Sequence, residues 1–141
     1  MKKIGDFIAG ILGLILFLGI YNYEVVLELV TGENKALQQK AENGDPYAML
    51  ELARLHYEGK KGFLASDKMG MYWTERAANL GVPEAHFNLG LAYVRGNNAV
   101  SVNYPKAKSY FQTACNLGIE KGCENIQRMK ERGMKEWVKK Y

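Results

Sequence analysis

Histidine, cysteine and proline are all scarce in this chain, and each scarcity closes a class of explanation. Two cysteines are too few for a disulfide-dense mini-domain or a four-thiolate zinc site. Three prolines argue against long Pro-rich linkers. The only histidines are His56 and His86, and neither stands in a His-Glu-x-x-His arrangement. No Gly-rich phosphate loop or paired-carboxylate constellation is present, and Ser66, Ser101 and Ser109 fall at loop or surface positions outside any nucleophile elbow. The expectation is a protein with no catalytic residues, no cofactor and no metal.

Charge of one sign is also missing from most of the chain. The 141 residues carry a formal charge of +4. Residues 31–120 hold ten basic and nine acidic side chains, whereas residues 121–141 hold seven and three. The excess therefore belongs to a C-terminal tail, and the balanced body argues against a nucleic-acid-binding surface. Apolar residues at 48% and charged residues at 24% are ordinary for a globular chain and exclude wholesale disorder.

Charge is absent altogether from Phe7 to Tyr23, just after Lys2 and Lys3. Residues 4–23 give a helix of about 30 Å, matching the hydrocarbon core of a bilayer. The run leaves through Gly19-Ile20-Tyr21-Asn22-Tyr23, whose bulky residues suit interfacial anchoring better than a signal-peptidase site. A retained signal-anchor over 1–23 is expected, with a cleaved signal peptide as the alternative. The leading lysines favour a cytoplasmic N-terminus, and the expected location is a bacterial inner membrane with the body in the periplasm. Residues 24–34 read as a linker.

The remainder of the chain is repetitive. Ala48-Met49-Leu50-Glu51-Leu52-Ala53 through Gly59 aligns without a gap onto Ala85-His86-Phe87-Asn88-Leu89-Gly90 through Gly96, at an offset of 37 residues. The same offset carries Ala77-Ala78-Asn79-Leu80-Gly81 onto Ala114-Cys115-Asn116-Leu117-Gly118, and Trp73 onto Tyr110. Small and apolar residues at Ala48, Leu52, Leu55 and at Ala85, Leu89, Ala92 recur at helical spacing, so these six are the expected core slots. Gly59 and Gly96 end the first helix of each unit, and Gly81 and Gly118 end the second. A helix pair cannot bury its apolar face alone, so units must stack. The reading is an all-α, short α/α superhelical solenoid of about two and a half helix-pair repeats. It comprises a half unit at 33–47, whole units at 48–84 and 85–121, and a third helix from Gly122.

The pattern Ala-x-x-x-Leu-Gly-x-x-Tyr-x-x-Gly, followed by Lys-Ala, an aromatic, Ala-Ala and Leu-Gly, resembles the Sel-one-like repeat (SLR) family, relatives of tetratricopeptide repeats. The resemblance covers residues 35–133. It departs at His56, where the family has Tyr, and at Gly70, where it prefers Ala. What it implies is a protein-interaction module. Cys115 and Cys123 flank a short turn, and their spacing is similar to that of bacterial cysteine-rich SLR proteins, whose paired cysteines are disulfides. The resemblance thus implies a bridge between them, with two buried thiols as the alternative.

In helix-pair solenoids the first helices line the concave face. Setting the core slots aside leaves Met49, Glu51, Arg54, His86, Asn88 and Leu91 as the expected partner-binding set, suited to an extended peptide or a protruding loop. His56 reads as a packing residue in a core slot and His86 as facing solvent or partner. Ile126, Met129, Trp137 and Tyr141 share a helical face in a tail whose end, 134–141, is a basic cap. The partner is expected to be another protein: an envelope assembly component or, in the alternative, a secreted toxin such as a phospholipase that this chain neutralises as an immunity protein.

Overall fold

The computed structural model describes residues 32–131. Helix α1 denotes the helical residues 37–42; four helices of equal length follow, α2 (Pro46–Glu58), α3 (Asp67–Asn79), α4 (Pro83–Arg95) and α5 (Tyr104–Asn116), and then α6 (Glu120–Glu131). The starts of α2, α4 and α6 keep the 37-residue period, two residues ahead of the unit boundaries read from sequence. That displacement has a local cause. Pro46 and Pro83 occupy the first helical turn, where a missing N–H costs nothing, so each helix begins before its first small residue. Residues 32–34, expected to end a linker, are already helical. The signal-anchor at 1–23, the rest of the linker and the cap at 134–141 with Trp137 and Tyr141 lie outside the described residues. Among the described residues no helix is long and apolar enough to cross a membrane.

The turns that lead from one unit to the next have a cause visible in their residues. After α3 the Gly81 N–H bonds to Ala78 O at 2.8 Å and the Val82 N–H to Ala77 O at 3.2 Å. Gly118 and Ile119 repeat the pair on Cys115 O and Ala114 O, and Gly44 and Asp45 repeat it on Ala41 O and Lys40 O. All three glycines have positive φ, the conformation this double cap requires. One chain reversal is thus used three times, each time the chain passes from one unit to the next. Helix starts are capped by Asp45, Ser66 and Asn103, whose side chains accept N–H bonds from the first turn, each contributing about 1 kcal/mol. Helix α4 lacks such a bond; its cap residue, Val82, is instead buried in the core.

The helices pack in sequence, α2 on α3, α3 on α4, α4 on α5 and α5 on α6, around one continuous core. Large and small residues trade places between the two units. In the second unit the Phe111 ring lies so close to Gly90 that a Cβ there would sit 2.6 Å from it. The same slots in the first unit hold Thr74 and Ala53. Conversely, Tyr57 covers Gly70, where a Cβ would come within 2.6 Å of the ring, whereas the second unit has Val94 and Ala107 at those slots. Gly70 is therefore the partner of a larger neighbour. Thr74, the buried polar side chain here, donates its hydroxyl to Gly70 O at 2.7 Å, so its burial leaves nothing unpaired.

Two core expectations need correction. Ala92 is only half-buried, and the next residue, Tyr93, is buried in its place. His56 is likewise half-buried, its ring 4.9 Å from Phe63 at the following loop and its Nδ1 3.4 Å from Leu64 O. The other five core slots are buried.

Cys115 and Cys123 are joined by a disulfide, with their Cα atoms 5.0 Å apart. Cys115 occupies the slot that Ala41 and Ala78 fill in the preceding turns, and Cys123 lies in the first part of α6. Beside the bridge a Cβ on Gly122 would sit 2.7 Å from Phe111 O and 3.0 Å from Cys115 N, so α6 approaches the α5 backbone directly.

Candidate functional site: a groove between the first helices

A groove of about 380 Å³ runs between α2 and α4, with Thr74 of α3 reaching its lining. Residues enter it at helical spacing: Leu50, Arg54, Tyr57 and Glu58 from α2, and Asn88, Leu91, Ala92 and Arg95 from α4. The loop after α4 adds Asn97. That loop is held in place because Asp67 Oδ2 accepts the Asn98 N–H at 2.9 Å, tying the second unit to the start of α3.

Charge in the groove is largely paired. The Arg54 guanidinium donates to Glu51 through Nε at 2.9 Å and Nη2 at 2.6 Å, and to Glu58 Oε2 through Nη1 at 2.8 Å. Lys60 Nζ lies 3.0 Å from the same Glu58 oxygen. The hydrogen bond from Arg54 holds the Glu51 carboxyl below the usual carboxylate range; the Lys60 hydrogen bond, then Arg54, does so for Glu58. Glu51 in turn holds the Arg54 guanidinium charged. All four groups are substantially exposed, so the network adds orientation more than stability. Burial raises the Tyr57 phenol above its ordinary value, keeping it neutral and able to donate.

The structure brings together half of the partner-binding set read from sequence. Arg54, Asn88 and Leu91 line the groove, and Glu51 stands beside it as a partner of Arg54. Met49 is not on this face: at 1% exposure it belongs to the core. His86, one period on, is half-buried with its ring 6.1 Å from that of Tyr110, on the side of α4 facing α5, and its Nδ1 is buried without a partner. The reason for both corrections is the same. In both first helices the covered arc is wider than a single stripe and reaches the residue after the core alanine, Met49 after Ala48 and His86 after Ala85; α4 packs on both α3 and α5.

Tyr57, Arg95 and Asn97 were missing from the sequence set, although Arg95 follows Leu91 by four residues and Tyr57 follows Arg54 by three. Extending each helix face by one more turn finds the first two; Asn97 enters through the loop and has no periodic signal. On the other side of α4, Lys106 Nζ reaches Tyr93 Oη at 2.6 Å and sits 4.3 Å from that ring, while Tyr93 stacks on Tyr110 at 5.7 Å. These contacts fasten α4 to α5 and so fix the groove's second wall.

Among the described residues no group of His, Cys, Asp and Glu could hold a metal ion. The groove's amides, apolar walls and paired charges can bind a chain segment, with no nucleophile–base pair among them.

Known proteins share this architecture. An SLR-fold protective antigen of uropathogenic Escherichia coli strains is 31% identical, with a TM-score of 0.67 over 70% of this chain and 21% of its own. A Sel1 repeat protein from Oxalobacter formigenes is 28% identical, with a TM-score of 0.65 over 72% of this chain and 74% of its own. In sequence, 91 residues are 32% identical to HRD3B, a component of the ERAD-associated E3 ubiquitin-protein ligase of Arabidopsis thaliana. The chain spans only 14% of that plant protein's length. The Sel1 repeat itself matches twice, at residues 46–82 and 83–119, in step with the helix pairs α2–α3 and α4–α5. These matches take in more than half of the sequence, and the chain belongs to the Sel1 repeat family.

Proposed function

We propose that this protein is an adaptor that docks an extended segment of another protein in the groove between α2 and α4. Sel1 repeats are protein-interaction modules, and the observation that carries the reading here is the groove itself. Leu50, Leu91 and Ala92 offer apolar contact, and Asn88 offers an amide that can pair with a peptide backbone. We further propose that the apolar run at 4–23 holds the protein in the bacterial inner membrane, with the solenoid in the periplasm. The disulfide supports this, since such bridges persist in oxidising compartments. A reporter active only in the periplasm, fused after Tyr141, tests the topology.

Leu91→Glu tests the docking. It places a charge on the groove wall at a half-buried position, so the helical circular-dichroism signal and melting temperature should stay close to the parent. Recovery of partner from solubilised membranes should fall at least tenfold. A well-folded Leu91→Glu protein that recovers the same partner in the same yield would put docking elsewhere.

A further inference from the structure

Resting on that reading, we infer that the docked segment is acidic: it presents an Asp or Glu side chain to Arg95, in an extended stretch whose backbone is held by Asn88. Most of the charge around the groove is already used. Arg54 and Lys60 face Glu51 and Glu58, two cations against two carboxylates, all four within ion-pair distance. Glu58 lines the groove, but its charge is shared between two cations and does not repel an acidic guest. Arg95 lines the same groove, is exposed, and makes no ion pair or hydrogen bond among the described residues. It is the uncompensated charge of the groove.

The surroundings of Arg95 reinforce this. Asn97 Oδ1 accepts the N–H groups of Ala99 and Val100 at 2.8 Å and 2.9 Å. That use of the oxygen fixes the amide and leaves its Nδ2 as a donor with no partner among the described residues. Arg95 and Asn97 are thus two donors, next but one in sequence, that both line the groove, a donor set suited to a carboxylate. A basic or wholly apolar guest would cover Arg95 and leave it unpaired, which is costly. Asn88 lies two helical turns earlier, about 10.5 Å along the α4 axis. An extended chain covers that distance in about three residues. A segment whose backbone pairs with the Asn88 amide therefore carries its acidic residue about three positions away, with an intervening side chain against Leu91.

The test uses random dodecapeptides displayed on phage, fused through their C-termini so that only side-chain carboxylates are offered, and selected on the purified full chain. The expected consensus has Asp or Glu at one fixed position beside apolar residues. A synthetic, C-terminally amidated peptide of that sequence should bind about tenfold more weakly to Arg95→Gln, while Lys68→Gln, an exposed control outside the groove, leaves binding unchanged. Changing the peptide's Glu to Gln should cost the same factor on the parent protein and nothing further on Arg95→Gln. A consensus without an acidic position, no enriched sequence at all, or full affinity for Arg95→Gln would overturn the inference. If the peptides bind Arg95→Gln normally but fail on Leu91→Glu, the groove stands and the carboxylate assignment falls. If they bind both normally, the docking reading falls with it.

Discussion

Gly90→Ala should destabilise the protein by about 1–3 kcal/mol, and most of that loss should disappear when Phe111→Thr is present in the same chain. A methyl on Gly90 would lie 2.6 Å from the Phe111 ring, and Phe111 is fully buried. Phe111→Thr alone should cost about 3–5 kcal/mol, because it removes a ring from the middle of the core. The double variant recreates the first unit's own solution, Ala53 with Thr74, and its new hydroxyl can reach the carbonyl of Ala107 as Thr74 reaches that of Gly70. The sum of the single losses should therefore exceed the loss of the double by about 1–3 kcal/mol in denaturant unfolding followed by circular dichroism. Strict additivity would mean that the two units do not share interchangeable packing pairs.

This pair also marks the limit of what the sequence discloses. The period of 37, the helix ends at Gly81 and Gly118 and five of the six core slots were legible, because each is a local property of one position: a positive φ, a small side chain, an apolar side chain at the right interval. The exchange of Gly90 and Phe111 for Ala53 and Thr74 was not, since it is a property of two residues on different helices and neither looks unusual alone. Gly70 shows the same thing from the other side, as it reads as a departure until Tyr57 is seen lying over it. The groove was half legible. Arg54, Asn88 and Leu91 follow from spacing, but counting Met49 and His86 in the partner-binding set assumes one buried stripe on each first helix, and Met49 is buried and His86 half-buried. Arg95 lies within the same periodicity, one turn beyond Leu91.

Loss of the Cys115–Cys123 bridge should have the next largest effect. The bond closes a loop with a sequence separation of 8, which in the chain-entropy account stabilises the fold by about 2.5 kcal/mol. Its position magnifies the consequence. Helix α6 packs chiefly on α5, so within the described residues it is the end of the stack and has a partner on one side. What holds it is the buried face of Gly122, Ile126 and Met129 together with the bridge. Cys115→Ser combined with Cys123→Ser should lower the melting temperature by on the order of 10 °C, and hydrogen exchange should become faster in α6 before it does in α2 or α4. The parent protein, purified without reductant and unfolded in denaturant, should show no free thiol. Two titratable thiols in that material, or an unchanged melting temperature in the double variant, would remove the bridge as a source of stability.

Site-specific photo-crosslinking tests most directly whether partners dock in the groove between the first helices. A benzophenone side chain introduced in place of Leu91 samples the groove wall, and one in place of Ser109 samples the exposed side of α5, a second helix of the stack. After irradiation of intact cells, docking in the groove should give a discrete higher-mass adduct from position 91 and none from position 109, with the position-91 adduct reduced by Arg95→Gln. An adduct from position 109 with none from position 91 would contradict it.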